Sequence, residues 1–181
     1  MTDVYQSRRT TQLGERIFNW AITRIPSHWI RQSFLRKFGA TIGTNTSIMM
    51  GTTVLGIDRL VIGDNCSIGF DCMLDARGGL TLDNSVVLAS DVHIITGQHL
   101  VHSDDFAIEL GPVHIGHHAW IASRATILQG LTIGTGAVVG GCSMVRTSVP
   151  DMKIVAGVPA KIVGTRESTL DYHPVFRPLL Y

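Results

Sequence analysis

The stretch HIGHHAWIASRATILQGLTIGTGAVVGGCSMV, residues 114–145, decides the fold, because an aliphatic side chain returns at every sixth position: Ile115, Ile121, Ile127, Ile133, Val139 and Val145. A period of six suits neither an amphipathic helix, whose apolar face recurs at about 3.6 residues, nor a long strand alternating at two. It suits a short strand followed by a tight turn, repeated. Glycine often follows the aliphatic residue (Gly116, Gly134, Gly140), and a small residue sits four places after it (Ala119, Ala125, Ala137, Ser143).

The same beat runs back toward the N-terminus through Ile42, Ile48, Val54; Ile62, Ile68, Leu74; and Leu82, Leu88, Ile94, so that fifteen positions obey it. Its breaks are regular too. Two extra residues separate Val54 from Ile62 and Leu74 from Leu82, and fifteen extra separate Ile94 from Ile115. Every break falls after the third hexapeptide of a triplet. Three hexapeptides therefore make one triangular coil, and all insertions leave from one corner. Five such coils at a strand spacing of about 4.8 Å give a prism about 24 Å tall, whose inward aliphatics join into one continuous core.

The chain has 181 residues, 45% hydrophobic and 16% charged, enough to bury a core. No apolar run reaches the ~18–20 residues of a membrane span, and MTDVYQSRRTTQ lacks the apolar block of a signal peptide, so the expected location is cytoplasmic. Cys66, Cys72 and Cys142 form no CxxC pair and read as free buried thiols. A net charge of +1 argues against a nucleic-acid binder, yet residues 1–38 carry seven basic side chains against Asp3 and Glu15.

Three pieces, IITGQH (94–99), the stretch 114–145, and VPDMKIVAGVPAKIVG (149–164) with its A-G-x-P-A-[KR]-x-[IV] ending, make residues 39–165 resemble the hexapeptide-repeat acyltransferases. Within them the likeness is to the sugar O-acetyltransferases related to maltose, galactoside and nodulation-factor acetyltransferases and to those of exopolysaccharide assembly. The resemblance implies a left-handed parallel β-helix, an all-β solenoid over 39–163, with a loop projecting at 95–112. It further implies acetyl-CoA as co-substrate, no metal, and a homotrimer with sites at the subunit junctions.

Acetyl transfer to a hydroxyl needs a base, a donor for the oxyanion formed from the thioester, and a site that holds both reactants. A flat prism wall offers no pocket, so the loop must supply one. The family's loop histidine is matched by His99, the expected general base, with His102 as nearest rival. His93, His114, His117 and His118 fall on repeat strands and turns and read as surface or interface residues. A carboxylate or amide from the preceding coil usually orients such a base or binds the acceptor, which nominates Asp71 and Asp75. Gly69 and Asp71 stand where the relatives carry an Asn-x-Asn pattern, and Asp71 also reads as a turn former. In WIAS the resemblance implies that the Ser123 N–H faces the thioester carbonyl and that Trp120 walls the acceptor cleft. By the same likeness Gly141 lies along the pantetheine arm, and Lys161, with Arg146 and Thr147 in swapped order, meets the phosphates of coenzyme A.

At the N-terminus, Leu13, Ile17, Trp20 and Ala21 recur at helical spacing, Pro26 ends the run, and Ser27 caps a second helix with Ile30, Phe34 and Phe38 on one face. These helices, residues 1–38, read as a cap on the open end of the β-helix. The rival reading is a basic amphipathic patch making peripheral contact with anionic lipid. The tail, 164–181, leaves the six-beat and reads as an extended strap. Two other classes share the fold: a metal enzyme of the carbonic-anhydrase kind, for which His93, His99, His114, His117 and His118 are raw material, and a non-catalytic scaffold.

Overall fold

The six-residue beat folds as three parallel sheets that form the faces of a prism. The structure, a computed structural model, describes residues 9–174 and residue 176; Arg8 of the basic segment and residues 175 and 177–181 of the tail lie outside the described residues. On the first face Thr41–Ile42, Leu60–Ile62, Leu80–Leu82, Val113–Ile115 and Thr132–Ile133 stack in register. The second holds Ser47–Ile48, Ser67–Ile68, Val87–Leu88, Trp120–Ile121, Val138–Val139 and Lys153–Gly157, and the third Thr53–Leu55, Met73–Asp75, His93–Ile94, Thr126–Ile127 and Met144–Val145. All three insertions leave between the third face and the first.

Five coils are complete, as the spacing requires, and a sixth is partial: Val149 bridges to Ile133, and Lys153–Gly157 pairs with Val138–Val139. The six-residue period does not carry into this last coil, because Val149 follows Val145 by four residues instead of six. Ala160–Thr165 then folds back antiparallel on Lys153–Gly157, carrying the domain slightly past the expected end at 163.

Each repeat turns its corner three residues after the aliphatic. Asn45, Asn65, Asp71, Ser85, Asp91, His118, Arg124 and Cys142 occupy this place with φ between 52° and 62°, the left-handed region that Asn and Asp tolerate best. The next residue points inward, so Thr46, Cys66, Cys72, Ala119, Ala125, Ala137 and Ser143 are buried under the corners. Burial pushes the thiols of Cys66 and Cys72 up, to about 11 and about 12, and leaves them unreactive. Cys142 departs from the expectation of a buried thiol: it stands one place earlier in its repeat, on the turn itself, and is exposed.

The first coil would present a row of unpaired strand groups, and two helices, α1 (Arg9–Trp20) and α2 (His28–Lys37), cover it with polar side chains. The Asn19 amide donates to the Val54 carbonyl (2.8 Å) and accepts from its N–H (2.9 Å), while Glu15 accepts from the Gly56 N–H (2.6 Å). Thr23 donates to Thr52 O (2.6 Å) and Gln32 to Thr46 O (2.6 Å). Arg31, 0% exposed, donates through Nε (3.0 Å) and Nη2 (2.6 Å) to Ile48 O and through Nη1 to Ile25 O. Arg36 donates to Ile42 O (2.9 Å) and Gly43 O (3.1 Å).

These bonds explain a departure from the apolar pattern of α1. The face bearing Leu13, Ile17 and Trp20, 59%, 37% and 84% exposed, looks outward, while Thr11, Gly14 and Phe18 are buried against the rest of the protein. The helix turns its hydrogen-bonding side to the coil because strand edges need donors and acceptors more than methyl groups. Gly14 admits the Phe38 ring, which a Cβ would meet at 2.3 Å. Two of the basic side chains, Arg31 and Arg36, are thus engaged in capping. No helix among the described residues is long and apolar enough to cross a membrane.

Replacing Arg31 with Ala removes the guanidinium donors from the Ile48 and Ile25 carbonyls, leaving Ile25 O with the Ser27 N–H and Ile48 O beside His28 Nδ1. The variant is expected to lose about 2–4 kcal/mol in urea denaturation, and Arg36→Ala less, because water reaches the more exposed carbonyls.

Candidate active site

His99 ends the strand Gly97–His99, which pairs antiparallel with Ile108–Leu110 to make the long excursion a hairpin. Its Nδ1 lies 2.8 Å from the carbonyl oxygen of Phe106, and the two rings stack with centroids 4.2 Å apart and planes within 10°. A carbonyl only accepts, so Nδ1 carries the proton and Nε2 of the neutral ring keeps its lone pair. The group that orients the ring is therefore a backbone carbonyl, where a carboxylate or amide side chain was expected. Phe106, which supplies it from a left-handed conformation (φ 48°), is absent from the sequence reading, although it is the hairpin's sole aromatic residue. The rival His102 is exposed near the tip, and its side chain makes no hydrogen bond to a described residue.

Asp75, nominated as an orienting or acceptor-binding carboxylate, is turned into the protein. Its carboxylate is 1% exposed, pairs with Arg77 at both oxygens (2.9 and 3.0 Å), and accepts from the backbone N–H groups of Arg77 (3.1 Å) and Thr96 (3.1 Å). Thr96 in turn accepts at Oγ1 from Gly78 N–H (2.9 Å) and at its carbonyl from Gly111 N–H (2.9 Å). The carboxylate is the foundation on which both legs of the hairpin stand. Glu109 ties the same hairpin to the next coil by accepting from Gln98 (3.2 Å) and Gln129 (3.0 Å).

The corner between the second and third faces carries Asp71, Ser123 and Gly141 on the second, fourth and fifth coils. At several corners the residue two places after the aliphatic has an N–H that the ladder does not use, and at Thr44, Asp64 and Thr135 a side chain of the next coil accepts from it. Asn84 accepts from the Asp64 N–H (2.8 Å) and Asp151 from that of Thr135 (2.8 Å). For Ser123 the residue in that position on the next coil is Gly141, which has no side chain, and no described residue accepts from the Ser123 N–H. This amide is left open to a ligand. Asp71 is exposed on the same corner, in the turn conformation (φ 52°), and Trp120 stands half-exposed on the second face.

Thr147 and Lys161 come together at the C-terminal end of the prism, in a cavity of about 300 Å³ shared with Ser148 and Ala160; Arg146 is exposed and does not line it. His99 and Ser123 do not meet within one chain. The hairpin leaves one corner of the prism and Ser123 stands at another, with the whole third face between them. The other histidines are scattered: His114 and His117 flank Asp83 (3.0 and 3.5 Å), and His93 is exposed on the third face. Among the described residues no three His, Cys, Asp or Glu side chains converge where they could hold a metal ion.

Coils stacked on a six-residue period, broken once by a histidine-bearing hairpin, define a hexapeptide-repeat acyltransferase fold. Known proteins agree. The chain is 33% identical over 153 residues to WcaF of Escherichia coli strain K12, provisionally named a colanic acid biosynthesis acetyltransferase, with 84% of this chain and 83% of that one covered. It is 30% identical over 157 residues to WbbJ of the same organism, provisionally named a lipopolysaccharide biosynthesis O-acetyl transferase, covering 80% and 79%. In fold it is similar to the crystal structure of a hexapeptide-repeat acetyltransferase of Vibrio cholerae complexed with acetyl coenzyme A, with a TM-score of 0.77, 22% identity, and 89% and 87% of the two chains covered. The chain belongs to the hexapeptide-repeat acetyltransferases. No family model matches it.

The Asp75 anchor has a signed pH dependence. Burial works to raise its carboxyl, but hydrogen bonds from Arg77 and Thr96 outweigh it and hold it below its ordinary value. A depressed folded value means that the stabilisation is complete above the unfolded carboxylate range and is lost as pH falls through the folded value. The Thr96 amide resonance should accordingly hold its position from pH 7 to about 4 and move only below the usual carboxylate range of ~3.9. Asp75→Asn should cost about 1–3 kcal/mol at pH 7, a difference that shrinks in strong acid.

Proposed function

We propose that this protein transfers the acetyl group of acetyl-CoA to a hydroxyl of a sugar in the assembly of a surface polysaccharide or glycolipid. The observation that carries the reading is the His99 ring, held by Phe106 in the tautomer that leaves Nε2 able to take a proton. The names of WcaF and WbbJ support the pathway, and the acetyl-CoA complex of the Vibrio cholerae protein supports the donor.

In the proposed step His99 Nε2 removes the hydroxyl proton as the sugar oxygen attacks the thioester carbon. The open Ser123 amide donates to the carbonyl oxygen as it becomes negative, where a fixed N–H is worth most. The tetrahedral intermediate then breaks its C–S bond, the imidazolium returns the proton to the departing sulfur, and the products are the acetyl ester and CoA thiol. No acetyl-enzyme forms. Gly141 lets the pantetheine arm approach the backbone, and Thr147 and Lys161 receive the phosphates beyond it, with Arg146 adding positive charge nearby.

The separation of His99 from Ser123 supports a site built by two subunits. We infer a homotrimer in which the hairpin of one subunit meets the Ser123 corner of its neighbour, giving three sites per assembly. Trp120 and Asp71 then belong to the acceptor side of that junction.

Thiol release from acetyl-CoA against free hexoses, amino sugars, nucleotide-linked sugars and 4-nitrophenyl hexosides tests the reading. His99→Ala should lower turnover about 10²–10⁴-fold; full activity in this variant sinks the assignment. Gly141→Asn places an acceptor over the Ser123 amide, as Asn84 does for Asp64, and should cost about 10²–10³-fold in kcat, with Gly141→Ala milder. Equal amounts of the two inactive variants, unfolded and refolded together, should recover about a quarter of wild-type activity, because statistical mixing restores one junction in each mixed trimer. No recovery speaks against a shared site.

A further inference from the structure

The proposed mechanism leaves the chain beyond Thr165 without a role, yet Arg166 to Tyr172 are tied down in detail. Arg166 Nη1 donates to the carbonyls of His118 (2.9 Å) and Gly136 (3.3 Å), and its Nη2 donates to the Tyr172 hydroxyl. The guanidinium carbon lies 5.7 Å from the centre of the Tyr172 ring, and His118 meets that ring edge-on at 5.1 Å. His118 Nε2 lies 3.0 Å from the Tyr172 carbonyl, to which it donates. This latch grips the corner between the first and second faces. From there the chain reaches across the second face, and Pro174 and Phe176 close one side of a cleft of about 430 Å³ whose other walls include Ser67, Phe70, Val87, Ser90 and Ser123.

The order of coils along the axis says which reactant this cleft fits. In the proposed mechanism the thioester lies at Ser123 on the fourth coil, and the coenzyme extends from Gly141 on the fifth to Lys161 at the far end. The cleft runs the opposite way, from Ser123 to Ser90 on the third coil and Phe70 on the second, and it shares only Ser123 with the donor path.

We propose that the C-terminal tail is a wall of the acceptor site and that Phe176 is a specificity-determining residue within it, an assignment that rests on the transferase reading above. Phe176, 57% exposed, offers a flat apolar surface suited to the C–H face of a hexose ring. Ser90 offers a hydroxyl that donates to or accepts from its oxygens. Arg166 is a positioning residue: it holds Tyr172, and through it the segment that carries Pro174 and Phe176.

Initial rates with the best 4-nitrophenyl hexoside, varied separately from acetyl-CoA, test this on three proteins: Phe176→Ala, Arg166→Ala, and a chain ending at Thr165. All three alter residues outside the stacked core. The acceptor KM should rise about tenfold in each, with the KM for acetyl-CoA and kcat at saturating acceptor little changed, the signature of lost uniform binding. Wild-type turnover with an unaltered acceptor KM in all three overturns the tail assignment alone. So does a raised KM for acetyl-CoA, which would put the tail on the donor side, or a gain in kcat, which would make it an obstruction. A wild-type chain that releases no thiol with any free, amino, nucleotide-linked or 4-nitrophenyl sugar overturns the transferase reading and the tail assignment with it.

Discussion

Everything in this protein hangs on the vertical stacking of one aliphatic side chain per hexapeptide. Ile42, Ile62, Leu82, Ile115 and Ile133 form one such column inside the first face, and matching columns run inside the other two. Strands of two or three residues hold nothing alone. They persist because each inner strand pairs on both sides with a coil in identical register, and because the apolar contacts of one layer continue into the next. The constraint is severe: a residue added within a hexapeptide would rotate an aliphatic out of the core, so the chain's extra residues collect at one corner, where the path can leave and return without disturbing a column.

A stack has ends, and both are finished chemically. At the N-terminal end the helices present Asn19, Glu15, Thr23, Gln32, Arg31 and Arg36 to specific strand groups, and hydrogen bonding, not apolar periodicity, selects the face of α1 that looks inward. At the other end Lys153–Gly157 continues the second face, and Ala160–Thr165 covers it by folding back.

The candidate chemistry comes from groups that the stacking leaves over. At several corners the turn amide two residues past the aliphatic is surplus to the ladder; a side chain one coil up satisfies it at Asp64 and Thr135, and none does at Ser123 below Gly141. The corner reserved for insertions is likewise where a hairpin can project. His99 stands on that hairpin with its ring fixed by Phe106, and Asp75, Arg77 and Thr96 fix the hairpin's base.

The period of six, the triplet grouping, the shared corner and the hairpin carrying His99 are all legible in the sequence by itself, because each follows from local spacing repeated along the chain. Asp75 illustrates the limit. By position it passes for an acceptor ligand, but its neighbours Arg77 and Thr96 come from a turn and from the link into the hairpin one coil away, so only folding shows its oxygens engaged. The outward face of α1, the Phe106 carbonyl behind His99 and the placement of the tail against the Ser123 cleft were likewise decided by the tertiary structure. The physical reason is common to them. Periodicity records which side chains avoid water, whereas the partner of a hydrogen-bonding group is whatever donor or acceptor the fold brings within about 3 Å, and that distance has no trace in the order of the residues.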